Sequence, residues 1–271
     1  MTKPQILLTN DDGILSPGLW AAAESLSSLG FVHVVAPREQ STGMGRSMPN
    51  TSDGIITPQE VTVRGKTWTV YAVGGSPAQA VQHGILEVLP APPALVVSGI
   101  NYGENLGTGI TISGTVGAAM EAAAMGVPGL AVSLETEAAH HLSYSKEVDF
   151  SAAAYFTACF ARLLLEQPMP PHVDLLKVDV PASATRETSW VVTRLARKRY
   201  FEPTPPQRTT WSEPGRPGYR RSEALDTFAQ DSDVYAVLAQ KMVSVTPVCL
   251  DMTSPINLTE FEANLTRLLS A

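Results

Sequence analysis

Four short, continuously apolar runs, Gln5–Leu8, Val32–Ala36, Ala94–Ser98 and Gly129–Ser133, alternate along the chain with segments of helical spacing. Continuous rather than alternating apolar runs are the pattern of strands covered on both faces, as in a parallel sheet. Between them, Leu19–Leu29 repeats its apolar residues at helical spacing and closes at Gly30, a C-cap residue; Ser76–Leu89 and Thr115–Met125 are further helix candidates. The alternation predicts an α/β fold with an open, doubly wound, mostly parallel sheet. Gly54–Val73 breaks the pattern. There Val61, Val63, Trp68 and Val70 alternate with polar residues, which predicts a hairpin flanking the sheet.

Beyond Leu134 the pattern changes. Phe150–Leu165 reads as a long helix, Leu175–Val180 as another buried strand and Trp190–Leu195 as a more polar one. Residues 197–221 hold five prolines, two glycines and seven basic residues without an apolar period, so they predict a loop or projecting arm. Val243–Leu250 returns to strand character, and Leu258–Leu269 closes the chain as an amphipathic helix. Composition divides the chain in the same way. Of 20 glycines, 18 lie at or before Gly129, whereas 14 of the 19 basic residues follow residue 131. The first half is therefore equipped for tight turns and close backbone approach.

Several function classes fall away. The 271 residues carry a net charge of −7, against a general binder of nucleic-acid polymers or membrane surfaces. Stretches such as Ala91–Val97 and Ala152–Phe160 are too short or too interrupted to span a bilayer, so no membrane contact is expected. The N-terminus runs directly into a strand-like segment without a signal-peptide pattern, and a soluble, cytoplasmic protein is expected. Cys159 and Cys249 form neither a disulfide framework nor a Cys-x-x-Cys pair, and both are expected to be buried apolar fillers.

The residues with chemical content sit on the loops after three of the strands. Asn10-Asp11-Asp12-Gly13 follows the first run directly. Neighbouring residues of a strand point to opposite faces, so both carboxylates converge only if the chain has left the strand, which Gly13 permits. Adjacent carboxylates repel, and a divalent cation turns that repulsion into binding; the plainer alternative is a turn in which Asp11 or Asp12 caps the next helix. After Leu95–Ser98, Asn101 precedes Gly103, Gly107 and Gly109, and Ser113-Gly114-Thr115 opens a helix. Free N–H groups at a helix start with flanking hydroxyls form a phosphate cradle, although neither the Walker A nor the dinucleotide spacing is present. Ser41, in the glycine-containing loop after the second strand, offers a further oxygen. Asp11, Asp12, Ser41 and Asn101 make an all-oxygen set suited to Mg²⁺ or Mn²⁺ rather than zinc. His33, His83, His140 and His141 are expected in structural or solvent-facing places.

These motifs resemble those of the SurE family, the stationary-phase survival proteins, which are metal-dependent 5′/3′-nucleotidases. The resemblance rests on residues 6–13 (Ile-Leu-Leu-Thr-Asn-Asp-Asp-Gly), Ser16-Pro17-Gly18, Val34-Val35-Ala36-Pro37 with Ser41, and Gly75-Ser76-Pro77-Ala78. It continues through Val97–Gly107 and Ser113–Glu121, and resumes at Val243–Pro247 with Asp251-Met252-Thr253. It implies a Rossmann-like catalytic core over 1–190, a projecting arm and hairpin for subunit exchange over 191–253, and a C-terminal helix over 254–271. It implies a homodimer or tetramer assembled by C-terminal exchange. One divalent metal ion per subunit would be held by Asp11, Asp12, Ser41 and Asn101, and the phosphate-binding set would comprise Gly43, Asn101, Asn105, Ser113, Gly114 and Thr115. The implied reaction is hydrolysis of nucleoside 5′- and 3′-monophosphates to nucleoside and phosphate, with some members also trimming short polyphosphate. The chain departs from the family in its second loop, where Ala36-Pro37 lies one residue closer than usual to Ser41, leaving Thr42 as a substitute ligand.

The chemistry expected of such a site is metal-assisted phosphomonoester hydrolysis, with Asp11 or Asp12 positioning or deprotonating the attacking water. A covalent aspartyl-phosphate mechanism fits less well, because such enzymes carry Asp-x-Asp rather than Asp-Asp-Gly. A receiver-like signalling module needs an acceptor aspartate where Asn101 stands and a downstream lysine, yet none lies between Lys66 and Lys146. A nucleotide-binding sensor without turnover is the remaining alternative. The basic residues Arg194, Arg197, Lys198, Arg199, Arg208, Arg216, Arg220 and Arg221 read first as a solvated arm and second as an electrostatic guide for anionic substrate.

Overall fold

The computed structural model describes residues 3–141, 144–145 and 147–270. Met1, Thr2 and Ala271, the outermost residues of the expected domain ranges, lie outside the described residues. Along the first half run β1 (Gln5–Thr9), α1 (Pro17–Leu26), β2 (Phe31–Pro37), β3 (Ile56–Val63), β4 (Lys66–Val73), α2 (Pro77–His83), β5 (Leu95–Tyr102), α3 (Gly114–Ala124) and β6 (Gly129–Leu134). The rest adds α4 (Ser151–Glu166), β7 (Leu175–Val180), β8 (Trp190–Val192), β9 (Phe201–Thr204), β10 (Gly218–Arg221), α5 (Asp233–Leu238), β11 (Val243–Val248) and α6 (Leu258–Leu269).

Nine of the strands form one sheet in the order β3-β4-β2-β1-β5-β6-β7-β11-β8. The six strands from β4 to β7 pair in parallel; β3 closes one edge antiparallel to β4, and β11 lies antiparallel to β7 near the other. Ile6 and Leu8 pack with Leu19, Leu26 and Phe156 of α1 and α4 on one face. Leu7 packs with Val81 and Ala118 of α2 and α3 on the other. Both faces of β1 are thus covered, which is why its run is continuously apolar. Each such leucine or valine contributes about 1.5–3 kcal/mol on burial.

Helix starts follow their local chemistry. Ser76 and Gln79 form a capping box at α2, and Ser113 caps α3 by accepting from the Val116 N–H at 3.1 Å. The hairpin expected over 54–73 is β3–β4, and it joins the sheet through the parallel pairing of β4 with β2.

Two element boundaries change, and the segment expected as an arm and hairpin takes a definite form. The helix expected over 76–89 ends at His83 and continues as one wide turn over Gly84–Val88. β5 runs on past Ser98 to Tyr102 with a register shift between Ser98 and Asn101, and Asn101 lies at its carboxyl end as expected. Within the expected arm, β9 and β10 pair antiparallel as a separate two-stranded ribbon. Its strands are four residues long and contain Pro203 and Gly218, too short to show a period. Of residues 191–253, β11 belongs to the main sheet, and the part that stands apart is the ribbon.

Cys159 and Cys249 are exposed in this chain, not buried. The buried positions of α4 include Ala152, Phe156 and Phe160, so Cys159 falls on the opposite stripe with exposed Tyr155 and Leu163; Cys249 lies just past the end of β11. No helix among the described residues is long and apolar enough to cross a membrane. Every residue from 251 to 270 is exposed, including Leu258, Phe261, Leu265 and Leu268, which share one face of α6.

Candidate functional site

Strand order reverses at β1, with β2 on one side and β5 on the other, so their carboxyl ends open on the crevice where doubly wound sheets bind ligands. The turn that leaves β1 is tied by Asn10, whose amide donates to the Gly13 carbonyl at 3.0 Å and accepts from the Gly13 N–H at 3.2 Å. Gly13 adopts φ +100°, which L side chains rarely adopt, and Asp11 and Asp12 thereby leave the strand together.

Asp11 is buried against the start of α3. The Thr115 hydroxyl donates to its Oδ1, and the backbone N–H groups of Gly114 and Thr115 also donate to it. A Cβ on Gly114 would lie 2.7 Å from the Asp11 Cβ, so only glycine permits this approach. Burial pushes the Asp11 carboxyl above its ordinary pKa, and these hydrogen bonds offset only part of the shift. Asp12 is buried too; its Oδ2 accepts from the Tyr102 N–H at 3.2 Å and its Oδ1 from Gln40 Nε2 at 3.4 Å. Burial first, and repulsion by Asp11 second, raise its pKa well above the carboxylate range. Neither aspartate has an ion-pair partner among the described residues.

Asn101 donates its amide nitrogen to the carbonyls of Tyr102 (3.2 Å) and Gly103 (2.7 Å), so its amide oxygen is the atom it has to offer a ligand. A cavity of about 310 Å³ joins Asp11, Asn101, Asn105, Thr42, Gly43 and Ser113. Ser41 donates its N–H to the Asp11 carbonyl at 2.7 Å, but its hydroxyl donates to Glu39 O and it lines a separate recess. Gly114 and Thr115 stand behind Asp11 rather than on the cavity wall. Asn105 is held by its side chain to the Ser133 hydroxyl at 2.9 Å and by its N–H to Asp179 at 2.8 Å. The chain therefore gathers most of the expected residues at one place, with Thr42 nearer the cavity than Ser41.

Two buried carboxylates without a cationic partner, beside an amide oxygen and hydroxyls, fit a hard divalent cation. Among the described residues no group of three or more histidine, cysteine, aspartate or glutamate side chains could hold a metal, so a site here needs Asn101 and hydroxyl, carbonyl or water oxygens.

Sequence reasoning missed several supports. Tyr144 donates to the Asp12 carbonyl at 2.7 Å, and Gln40 also donates to the His141 carbonyl at 2.9 Å. Lys177 is fully buried between Asp179 and Asp233, 3.2 Å from the latter, and donates to the Asn105 carbonyl at 2.9 Å. Burial opposes the ammonium, yet the two carboxylates outweigh it and hold the Lys177 pKa above its ordinary value. Asp233 accepts from the N–H groups of Gly107 and Ala196, each at 2.9 Å, so this buried cluster ties the cavity loop to the later half of the chain. The only sequence signal was Lys177-x-Asp179 inside an apolar run. Burial pushes Glu104, on the cavity wall, up to about 7 even though Arg221 lies 3.1 Å away. The ribbon supplies Phe201, Pro203 and Tyr219 to the cavity, and Arg199 lines it too. Of the other basic residues, Arg194 and Arg220 pair with Asp231 and Glu202. His141, expected in a structural or solvent-facing place, lines the same cavity.

Strand-end loops that bring acidic, amide and hydroxyl groups to the switch point of a doubly wound sheet define the class, an α/β protein with a ligand crevice at its strand ends. The N–H groups expected to be free at the start of α3 are instead taken by Asp11. A sequence model of the family described as "Survival protein SurE" matches residues 6–202. The 5′-nucleotidase SurE of Thermococcus gammatolerans is 43% identical over 254 residues, covering 93% of this chain and 92% of the relative. That of Thermococcus kodakarensis is also 43% identical, covering 94% and 96%. The crystal structure of the SurE protein from Aquifex aeolicus superposes with a TM-score of 0.73 at 32% identity, covering 93% of this chain and 95% of that one. The chain belongs to the SurE family.

Proposed function

We propose that the chain is a divalent-metal-dependent nucleotidase that hydrolyses nucleoside 5′- and 3′-monophosphates to nucleoside and phosphate. Its relatives bear the name 5′-nucleotidase. The observation that carries the reading is the pair Asp11 and Asp12, buried together at the β1 end with no lysine or arginine partner among the described residues, Asp11 lying against the start of α3.

Asp11, Asp12 and Asn101, with Ser41 or Thr42, would hold one Mg²⁺ or Mn²⁺. When bound, the ion neutralises phosphoryl charge and acidifies water. Thr115 and the first N–H groups of α3 orient Asp11, while Ser113 with Gly43 and Asn105 would hold the remaining phosphoryl oxygens. Asp11 or Asp12 accepts the proton of the attacking water. Lys177 keeps Asn105 in place from behind. Residues 1–190 make up most of the catalytic core. The ribbon within 191–253 and the helix within 254–271 serve subunit exchange, supported by the exposed apolar face of α6.

Chelated protein supplied with Mn²⁺ or Mg²⁺ and offered 5′-AMP, 3′-AMP and inorganic triphosphate tests the proposal by phosphate release. Release from either nucleotide only with added metal is expected. Binding of AMP without release would instead make the chain a nucleotide sensor.

A further inference from the structure

We propose that Arg46 and Glu121 are positioning residues for the reaction: their ion pair clamps the loop after β2 to α3 and so fixes Thr42 and Gly43 at the cavity. The inference rests on the nucleotidase reading and adds to it two residues that do not line the cavity themselves.

The connection from β2 to β3 runs from Arg38 to Ile55 without a helix or strand. Irregular loops of such length are uncommon in compact domains and usually carry function. This loop is anchored at both ends. Ser76 Oγ donates to the Ser47 carbonyl at 2.6 Å, Gln79 Nε2 to the Pro49 carbonyl at 3.1 Å and the Gly54 N–H to the Gly74 carbonyl at 3.0 Å. At its start the Ser41 N–H donates to the Asp11 carbonyl. Between these anchors residues 42–44 are exposed, and Thr42 and Gly43 line the cavity.

That middle stretch is held from one face of α3. Ser113, Gly117 and Glu121 follow one another at intervals of four and share this face. Ser113 lines the cavity. A Cβ on Gly117 would lie 2.3 Å from the Gly45 carbonyl oxygen, so loop and helix backbones touch there, and the Gly45 N–H donates to the Ile112 carbonyl at 3.0 Å. One turn further along α3, Glu121 is buried; its Oε2 accepts from Arg46 Nε at 2.7 Å and its Oε1 from Gln82 Nε2 of α2 at 2.8 Å. Both carboxylate oxygens are used, and Arg46 supplies the compensating charge. The Arg46 side chain is partly exposed, but releasing it would strand a buried carboxylate, which makes this contact costly to open. A short charge-assisted bond also fixes geometry.

The helix whose start holds Asp11 therefore also sets the place of Thr42 and Gly43. Loss of the pair leaves the anchors at Ser41 and beyond Ser47 intact, so it frees residues 42–46 and not the whole loop. Misplacing reacting groups by about 1 Å costs on the order of 10²-fold in rate.

The experiment compares wild type, Arg46→Met, Glu121→Gln and the double variant. It measures kcat and KM for 5′-AMP with Mn²⁺, and amide hydrogen exchange without metal or substrate. Thermal unfolding establishes that each variant is folded at the assay temperature. Should Arg46→Met alone not fold, the double variant, which strands no buried charge, carries the same test. Arg46→Met is expected to lower kcat by about 10- to 100-fold with KM near the wild-type value. The double variant is expected to lose no more than that, because the pair acts as one unit. Exchange should quicken over residues 42–46 and stay unchanged over α2. Near-wild-type kcat in the folded variants, losses that multiply in the double variant, or unchanged exchange over 42–46 overturns the clamp and leaves the nucleotidase reading intact. Absence of phosphate release from any nucleotide by wild type overturns that reading and the positioning role with it.

Discussion

Two buried acidic pairs lie on either side of the same loop, and they are solved differently. Asp179 and Asp233 share Lys177, so the chain itself supplies the compensating charge. Asp11 and Asp12 receive hydroxyl, amide and backbone N–H groups, and no ion pair among the described residues. Burial raises the pKa of Asp11 and Asp12, and of Asp179 too despite its lysine, so the pairs differ in the charge beside them rather than in the direction of the shift. Lys177 marks the first pair as a structural cluster, and on the proposed reading a cation from solution would complete the second.

The largest test of that contrast is activity. Asp11→Asn and Asp12→Asn should each lower phosphate release from AMP with Mn²⁺ by about 10²–10⁴-fold. Both variants should fold, and in metal-free buffer they should melt at or above the wild-type temperature, because each removes a buried repulsion. Near-normal turnover in both would sink the assignment. Lys177→Met should show the opposite profile, losing about 3–5 kcal/mol of stability because two buried carboxylates are left uncompensated. Urea or thermal unfolding measures it, and a loss under about 1 kcal/mol would erase the distinction between the pairs.

A smaller effect separates the two through ligand linkage. Mn²⁺ at about 100 times its dissociation constant should stabilise wild type by about 2.7 kcal/mol and Asp12→Asn by almost nothing. An effect of similar size concerns Glu104, buried on the cavity wall, whose pKa is raised from 4.5 to about 7 by burial. Its native form binds a proton more tightly than its unfolded form, so its contribution is complete below about pH 4.5 and is lost as pH rises through about 7. Glu104→Gln should therefore gain on wild type by about 2–3 kcal/mol over that window, read from unfolding midpoints at several pH values.

The half of the site that depends on local chain chemistry was legible in the sequence. Asp11, Asp12, Asn101 and Ser113 stand at strand ends and helix starts, and those are set by apolar runs, Gly13 and a capping serine. The half that depends on long-range packing was not. Lys177 and Asp179 sit in a strand as buried as its neighbours, and only the arrival of Asp233 from 54 residues beyond Asp179 makes the cluster intelligible. Phe201 and Tyr219 belong to strands too short to show a period, and they reach the cavity only as part of the paired β9 and β10. The cysteines were misplaced for a related reason: apolar character indicates burial, but the helix stripe decides which apolar residues receive it.

Mn²⁺ binding to the chelated protein, followed by electron paramagnetic resonance of the free ion, tests the central contrast most directly. One Mn²⁺ per chain is expected in wild type, with binding weakened strongly or lost in Asp11→Asn and Asp12→Asn and retained in folded Glu104→Gln. Equal Mn²⁺ affinity in wild type and both asparagine variants would contradict a cation site at this pair.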